Sequence, residues 1–243
     1  MNGTGRSTGT NPWINGTTET LRSLTRRIPG AATMSEVLGS MRWTDSIDNH
    51  LKEYNELVAD IGNDTRFVPI ISSRARSYTK GKAGVKTAVA ALSREEVIKY
   101  CPNFLTVQQL LNEAAIEARP LSSFSSPKLR GTNIHSRLKV KIDRLNNPNL
   151  KTEMSFLKSV AETLDLGMGL PDMDTFDGEK YGAKNTVRID VYDKASENLV
   201  CVYDAKTGKN DISLPRLDEV GRTVARYYGE GKQFFVIGMR PFE

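Results

Sequence analysis

The stretch TVRIDVYDKASENLVCVYDAKTG, residues 186–208, carries the first clear structural signal in this chain. Over residues 186–193 the side chains alternate: Val187, Ile189 and Val191 share one face, and Arg188, Asp190 and Tyr192 the other. That period of two is the mark of a strand with one buried side. A short polar turn, KASEN, leads into LVCVYDAK, so the two runs are expected to pair as a hairpin. The same period puts Asp204 and Lys206 on one face of the second strand with Val200 and Val202, just before the Thr207-Gly208 turn. A simple antiparallel register brings Asp190 to the same edge. Two carboxylates so close repel each other unless a cation lies between them, and a divalent ion held by one or two carboxylates is such a cation.

On either side of the hairpin the pattern extends into a larger unit. Residues 131–145 read as a helix because Ile134, Leu138, Ile142 and Leu145 form one stripe, and KTEMSFL (151–157) reads as a short strand. A loop rich in Gly and Asp follows, through residue 182. Within it DMDTFDG (172–178) resembles a calcium loop, but its glycine falls one residue late and a phenylalanine takes a ligand position, so it reads as an acidic loop bordering the cleft. After the hairpin, Leu217, Val220, Val224 and Tyr227 or Tyr228 mark a helix, and QFFVIG (233–238) a last buried strand. The order is helix, three strands, helix, strand.

The first half reads differently. Residues 1–18 are polar and rich in Gly, Asn and Thr, as in a disordered tail or linker. Leu51, Tyr54, Leu57, Val58 and Ile61 keep helical spacing, and Thr106 is a candidate cap for a helix carrying Val107, Leu110, Leu111, Ala114 and Ala115. Seven basic and no acidic residues lie between Arg66 and Arg94, with Tyr78 among them. They read either as a solvated linker or as a loop that tracks a phosphate backbone. The expected organisation is a tail (1–18), a mainly helical, basic N-terminal region (19–125) and a C-terminal α/β domain (126–243), joined by the Ser/Pro-rich run RPLSSFSSPKLRG.

Composition narrows the chemistry. Apolar residues make up 38% and charged residues 26% of the 243, ordinary for a soluble globular protein. No run approaches the ~18 apolar residues of a membrane span, and the start MNGTGRSTGTNPW lacks the apolar middle of a secretory leader. The net charge of +5 arises in residues 1–130, with 17 Lys/Arg against 12 Asp/Glu; residues 131–243 hold 17 of each. Basic surface favours phosphate-bearing partners. Cys101 and Cys201 are far apart, which excludes a four-cysteine metal site and gives no support for a disulfide scaffold. With only His50 and His135 besides, any metal is expected to be a hard one, held by oxygen.

Together, Gly131 and His135 in GTNIH, Glu153 in EMSF, Asp190 in VRID and Asp204, Lys206, Thr207 and Gly208 in DAKTG resemble the motifs of the PD-(D/E)XK nuclease superfamily, closest to its RecB-like branch. The resemblance covers roughly residues 128–240, about half of the chain. It implies a restriction-endonuclease-like αβββαβ core with a central mixed sheet flanked by helices. It also implies hydrolysis of nucleic-acid phosphodiesters, of DNA or alternatively RNA, with Mg²⁺ or Mn²⁺. Asp190, Asp204 and His135 would ligate the metal and Lys206 would act on water and transition state. Glu153 either joins the metal site or only positions its neighbours. The glutamine of the branch's Q-x-x-x-Y helix has no counterpart; Arg216, Arg222, Arg226 and Tyr227 are the substitutes expected to bind substrate.

A nuclease module behind a polar, basic segment is similar to the C-terminal toxins of polymorphic and type VI secretion effectors. That likeness implies export without a Sec leader, action in the cytoplasm of a target cell and a cognate immunity protein as partner. A phage or mobile-element repair or restriction nuclease, and a catalytically silent nucleic-acid-binding module, are the other readings.

Overall fold

The computed structural model describes residues 33–39, 41, 43, 52, 54–59, 66–75, 85–118, 120, 123, 126–158, 184–207, 214–228 and 232–242. The expected tail, the 172–178 loop, Tyr78 and Gly208 lie outside these residues. In chain order the elements are α1 (Met34–Gly39), β1 (Phe67–Ala75), β2 (Val85–Ser93), α2 (Arg94–Tyr100), α3 (Phe104–Glu117), α4 (Pro127–Arg144), β3 (Leu150–Leu157), β4 (Thr186–Asp193), β5 (Leu199–Ala205), α5 (Leu214–Tyr228) and β6 (Gln233–Met239). A further helical stretch covers 54–59.

The strands form one mixed sheet in the order β2-β1-β6-β5-β4-β3. Only β5 and β6 run parallel, as the crossover through α5 requires; the other neighbours are antiparallel. Each face carries its own core. On one, Val97, Phe104, Val107, Leu111, Ile134, Leu138 and Ile142 from α2, α3 and α4 bury Cys201, Tyr203, Phe235 and Ile237. On the other, Leu217, Val220 and Val224 of α5 cover Ile189, Val200, Val202, Phe234 and Val236. Because both faces are covered, every residue of β5 is buried, so its sequence reads as a nearly continuous apolar run.

The expected sequence of helix, three strands, helix, strand is present from α4 to β6. Residues 19–125 contain helices as expected, but also two strands that the reading did not anticipate. The basic stretch after Arg66 contributes β1 and β2, which pair over nine residues and dock on β6. One sheet thus draws strands from both sides of the Ser/Pro-rich connector. Tyr54 and Leu57 of the early helical stretch are buried as their spacing suggests, whereas Val58 is exposed. Thr106 lies inside α3, whose N-cap is Asn103. Helix α4 begins at Pro127, with the Ser126 hydroxyl accepting from the Leu129 N–H.

Cys101 and Cys201 are joined by a disulfide, with Cα atoms 5.9 Å apart, tying the corner between α2 and α3 to the middle of β5. Helix α5 lies close on the sheet at Gly221, where an added Cβ would strike the Ser73 hydroxyl and come within 3.2 Å of Val236. A side chain there fits only if Ser73 and Val236 give way.

Candidate metal centre

Strands β3 and β4 change faces together. Leu150 packs on the α4 side and Met154 and Phe156 on the α5 side, a reversal that strict alternation forbids. The Thr152 hydroxyl likewise donates to Asp143 of α4, at 2.9 Å. The change occurs at Glu153, which has φ 55° and is missing from the ladder between the pairs Thr152↔Val191 and Met154↔Ile189. Left-handed backbone at a residue with a Cβ costs on the order of 1 kcal/mol, and such strain clusters at functional sites. Opposite, Val187 and Ile189 face α5 while Val191 faces α4. The expected set of Val187, Ile189 and Val191 on one face is therefore corrected, because the kink lies between its second and third members. Its effect is to turn the carboxylates of Glu153 and Asp190 to the side where α4 presents His135.

At the same level β4 parts from β5. Their ladder consists of Val191↔Tyr203, Tyr192↔Val202 and Asp193↔Cys201, while β5 stays paired with β6 as far as Ala205↔Met239. In the opening, Asp190 Oδ2 accepts the Ala205 N–H at 2.7 Å. The carboxylate thus replaces a carbonyl of the neighbouring strand, which satisfies a buried donor and fixes the side chain. Its other oxygen, Oδ1, lies 3.3 Å from His135 Nδ1.

His135, Glu153 and Asp190 each offer one ligand atom, all within 4.8 Å of one another, a cluster that could hold a metal ion. An imidazole and two carboxylates supplied by a helix and two strands form a donor set that fits a divalent cation. Asp204 and Lys206 lie beside it as an ion pair, with Nζ 2.8 Å from Oδ2. Arg188, opposite Ser155 in the ladder, reaches diagonally so that Nε lies 3.0 Å from Glu153 Oε2. Each acid therefore has a basic partner: His135 for Asp190, Arg188 for Glu153, Lys206 for Asp204.

Electrostatics follow from this crowding. Burial lowers the proton affinity of His135, but the Asp190 carboxylate 3.3 Å away and the charge of Glu153 outweigh that, and it titrates above its ordinary 6.5. Burial and the neighbouring Asp190 charge raise Asp204 above its usual range, against the opposing pull of Lys206 and Arg216. Burial also raises Glu153, with Arg188 opposing and Asp190 reinforcing.

The other expected residues are placed as follows. Arg216 donates to the Arg188 carbonyl and pairs with Glu219 at 3.1 Å, so it borders the site. Arg222 does not: its guanidinium is held by Asp218 at 2.8 Å and donates to the Val85 carbonyl and Thr87 hydroxyl of β2, four strands from β4. Tyr227 is buried, edge-on to Phe156, and its hydroxyl accepts the Leu157 N–H at 2.8 Å, so it holds the end of β3 and faces no cleft. The Arg226 side chain lies outside the described residues. Arg188 is the site residue that periodicity did not single out. Its position two residues before Asp190 was the available signal, but its pairing depends on the kink at Glu153.

Among the described residues no helix is long and apolar enough to cross a membrane. Compared with known proteins, the chain matches no family model, no curated protein and no solved structure.

Proposed function

We propose that the chain is a metal-dependent nuclease of the PD-(D/E)XK type that hydrolyses phosphodiester bonds of DNA. One observation carries this reading: His135, Glu153 and Asp190 converge within 4.8 Å where β4 and β5 part, with the Asp204–Lys206 pair alongside. His135, Glu153 and Asp190 would hold the cation, and Asp204, expected as a ligand, is engaged by Lys206. An imidazole beside two carboxylates suits Mn²⁺ better than Mg²⁺, which prefers oxygen throughout. When bound, the cation supplies Lewis acidity toward a phosphoryl oxygen and a water.

The chain's own groups do the rest. Asp190 is pinned by the Ala205 N–H and Lys206 by the donation of its backbone N–H to the Met239 carbonyl at 2.8 Å, so neither must be ordered when substrate arrives. The Lys206 ammonium offers positive charge where negative charge develops on a phosphoryl oxygen. Asp204 holds that ammonium in place, with Oδ2 2.8 Å from Nζ.

The test is digestion of supercoiled plasmid with Mn²⁺ or Mg²⁺. Lys206→Ala and Asp204→Ala are expected to lower the rate by about 10²-fold or more. By calorimetry, Asp190→Asn and His135→Ala lose Mn²⁺ affinity while Lys206→Ala retains it; the asparagine still offers an acceptor to Ala205. Equal nicking by wild type, Asp204→Ala and Lys206→Ala overturns the reading. The effector-toxin setting is tested separately: cytoplasmic production in a bacterium should arrest growth, and harmless production of active enzyme counts against it and against a need for an immunity protein.

A further inference from the structure

Strands β3 and β4 reverse faces at the same level, but different forces fix the two reversals. In β4 the residues on either side of Asp190 are both apolar, Ile189 buried on the α5 side and Val191 on the α4 side, so burial alone sets where that strand turns. In β3 only one neighbour of Glu153 is held that way: Met154 is buried on the α5 side, whereas Thr152 is polar and half-buried. Leu150 and Met154 demand a reversal between them, and apolar packing does not select the residue. Polar contacts hold Thr152 on the α4 side. Its hydroxyl donates to Asp143 Oδ1 at 2.9 Å, and Lys139 Nζ donates to Asp143 Oδ2 at 2.6 Å and to the Thr152 hydroxyl at 3.3 Å. Lys139 and Asp143 follow His135 at intervals of four on α4, so the side of the helix that supplies the imidazole also grips Thr152.

We infer that the Lys139–Asp143–Thr152 contact is a positioning clamp for Glu153, fixing the reversal of β3 at the residue across from Asp190. This rests on the proposed metal site. The pairs Thr152↔Val191 and Met154↔Ile189 place Glu153 level with Asp190. With Thr152 on the α4 side and Met154 on the α5 side, the residue between them must leave the alternation, and Glu153 does so at φ 55°. That backbone is disfavoured for a residue with a Cβ by an amount comparable with one hydrogen bond, so a single contact is enough to decide it. Without the clamp the reversal can slide toward Leu150. Glu153 then returns to extended backbone, and its carboxylate leaves the position from which it converges with His135 and Asp190. Arg188 engages the carboxylate end of this side chain, and the clamp fixes its backbone end. Thr152 and Asp143 act through Glu153 and are positioning residues.

The test is calorimetric titration with Mn²⁺ of wild type, Thr152→Val, Thr152→Ser and Asp143→Ala, with urea unfolding alongside. Valine removes the hydroxyl but keeps the β-branched shape that suits a strand, so the protein is expected to stay folded. Thr152→Val and Asp143→Ala should each weaken Mn²⁺ binding by about ten-fold, the lower end of the usual range for groups that orient a metal ligand. Thr152→Ser keeps the hydroxyl and should bind as wild type does. The loss must run through Glu153: in a Glu153→Gln background, whose amide oxygen remains a weak ligand, Thr152→Val should cost nothing further. Unchanged Mn²⁺ affinity in folded Thr152→Val overturns the inference, as does a loss that Thr152→Ser shares. Equal losses in the two backgrounds also overturn it, because the substitution would then loosen α4 and β3 in general. Wild type that binds no Mn²⁺ overturns the metal-site reading itself and this inference with it.

Discussion

The Thr207 hydroxyl stands where a side chain on Gly131 would begin: a Cβ built on the glycine lies 2.8 Å from Thr207 Oγ1. This contact seats the first turns of α4 against the chain leaving β5, and His135 follows one turn later on the same helix.

Gly131→Ala therefore tests whether that seating sets the metal site. Alanine is the better helix former by about 1 kcal/mol, and the clash costs about 1–3 kcal/mol unless Thr207 rotates away. Stability is expected to change little, whereas Mn²⁺ affinity and plasmid nicking fall about ten-fold as α4 lifts and His135 moves off Asp190. Adding Thr207→Ala removes the obstructing hydroxyl and should restore both. Strictly additive effects of the two substitutions, measured as a double-mutant cycle, would show that the contact does not constrain the site.

Local pattern revealed as much of this molecule as local geometry determines. Alternation placed Val200, Val202 and Asp204 on one face of β5, and the Asp204–Lys206 pair formed as the spacing suggested. Asp190 and His135 do meet, because the stripe of Ile134, Leu138 and Ile142 fixes which side of α4 lies on the sheet. Glu153 was ambiguous for a physical reason: a residue at φ 55° breaks the period on which face assignments rest. The strands β1 and β2 were hidden by the basic, Gly-containing stretch between them, which has the composition of a linker although both flanks are buried. Arg222 shares α5 with Arg216, but the helix turns it toward Asp218 and the β2 edge. The link between Cys101 and Cys201 spans 100 residues and leaves no local trace.

A second prediction concerns Asp193, fully buried between Asn103, whose Nδ2 donates to it at 2.8 Å, and Tyr203, whose hydroxyl donates to it at 2.9 Å. Burial raises this carboxyl above its ordinary 3.8, and the two hydrogen bonds offset only part of that. The folded protein then binds a proton more tightly than the unfolded chain. Its contribution to stability is fully present below 3.8 and is lost as pH rises through the raised folded value. Asp193→Asn removes the titration while keeping an acceptor for Asn103, and the Tyr203 hydroxyl can rotate to accept from the new amide. In urea unfolding from about pH 4 to 7, the stability of Asp193→Asn relative to wild type should rise with pH and then level off. A relative fall would mean that the hydrogen bonds outweigh burial.

The disulfide gives the last prediction. Cys101 and Cys201 are both fully buried, and their bond closes a segment of 100 residues that contains α3, α4, β3 and β4. Chain entropy assigns a loop of that size about 4.7 kcal/mol of stabilisation, by restricting the unfolded state. At about 2–4 °C per kcal/mol for a chain of this length, loss of the link should lower Tm by roughly 10 °C or more. The variant to measure is Cys101→Ala with Cys201→Ala, by calorimetry or circular dichroism. Because the sulfurs are inaccessible in the folded protein, a reductant should act only under conditions that open the structure, and free thiols should appear in step with unfolding. Metal affinity of the double variant should stay near wild type, since His135, Glu153 and Asp190 come from α4, β3 and β4, and the disulfide joins the α2–α3 corner to β5. Loss of Mn²⁺ binding in a folded double variant would instead show that the bond holds β5, and with it the Ala205 N–H that pins Asp190, in register with the metal centre.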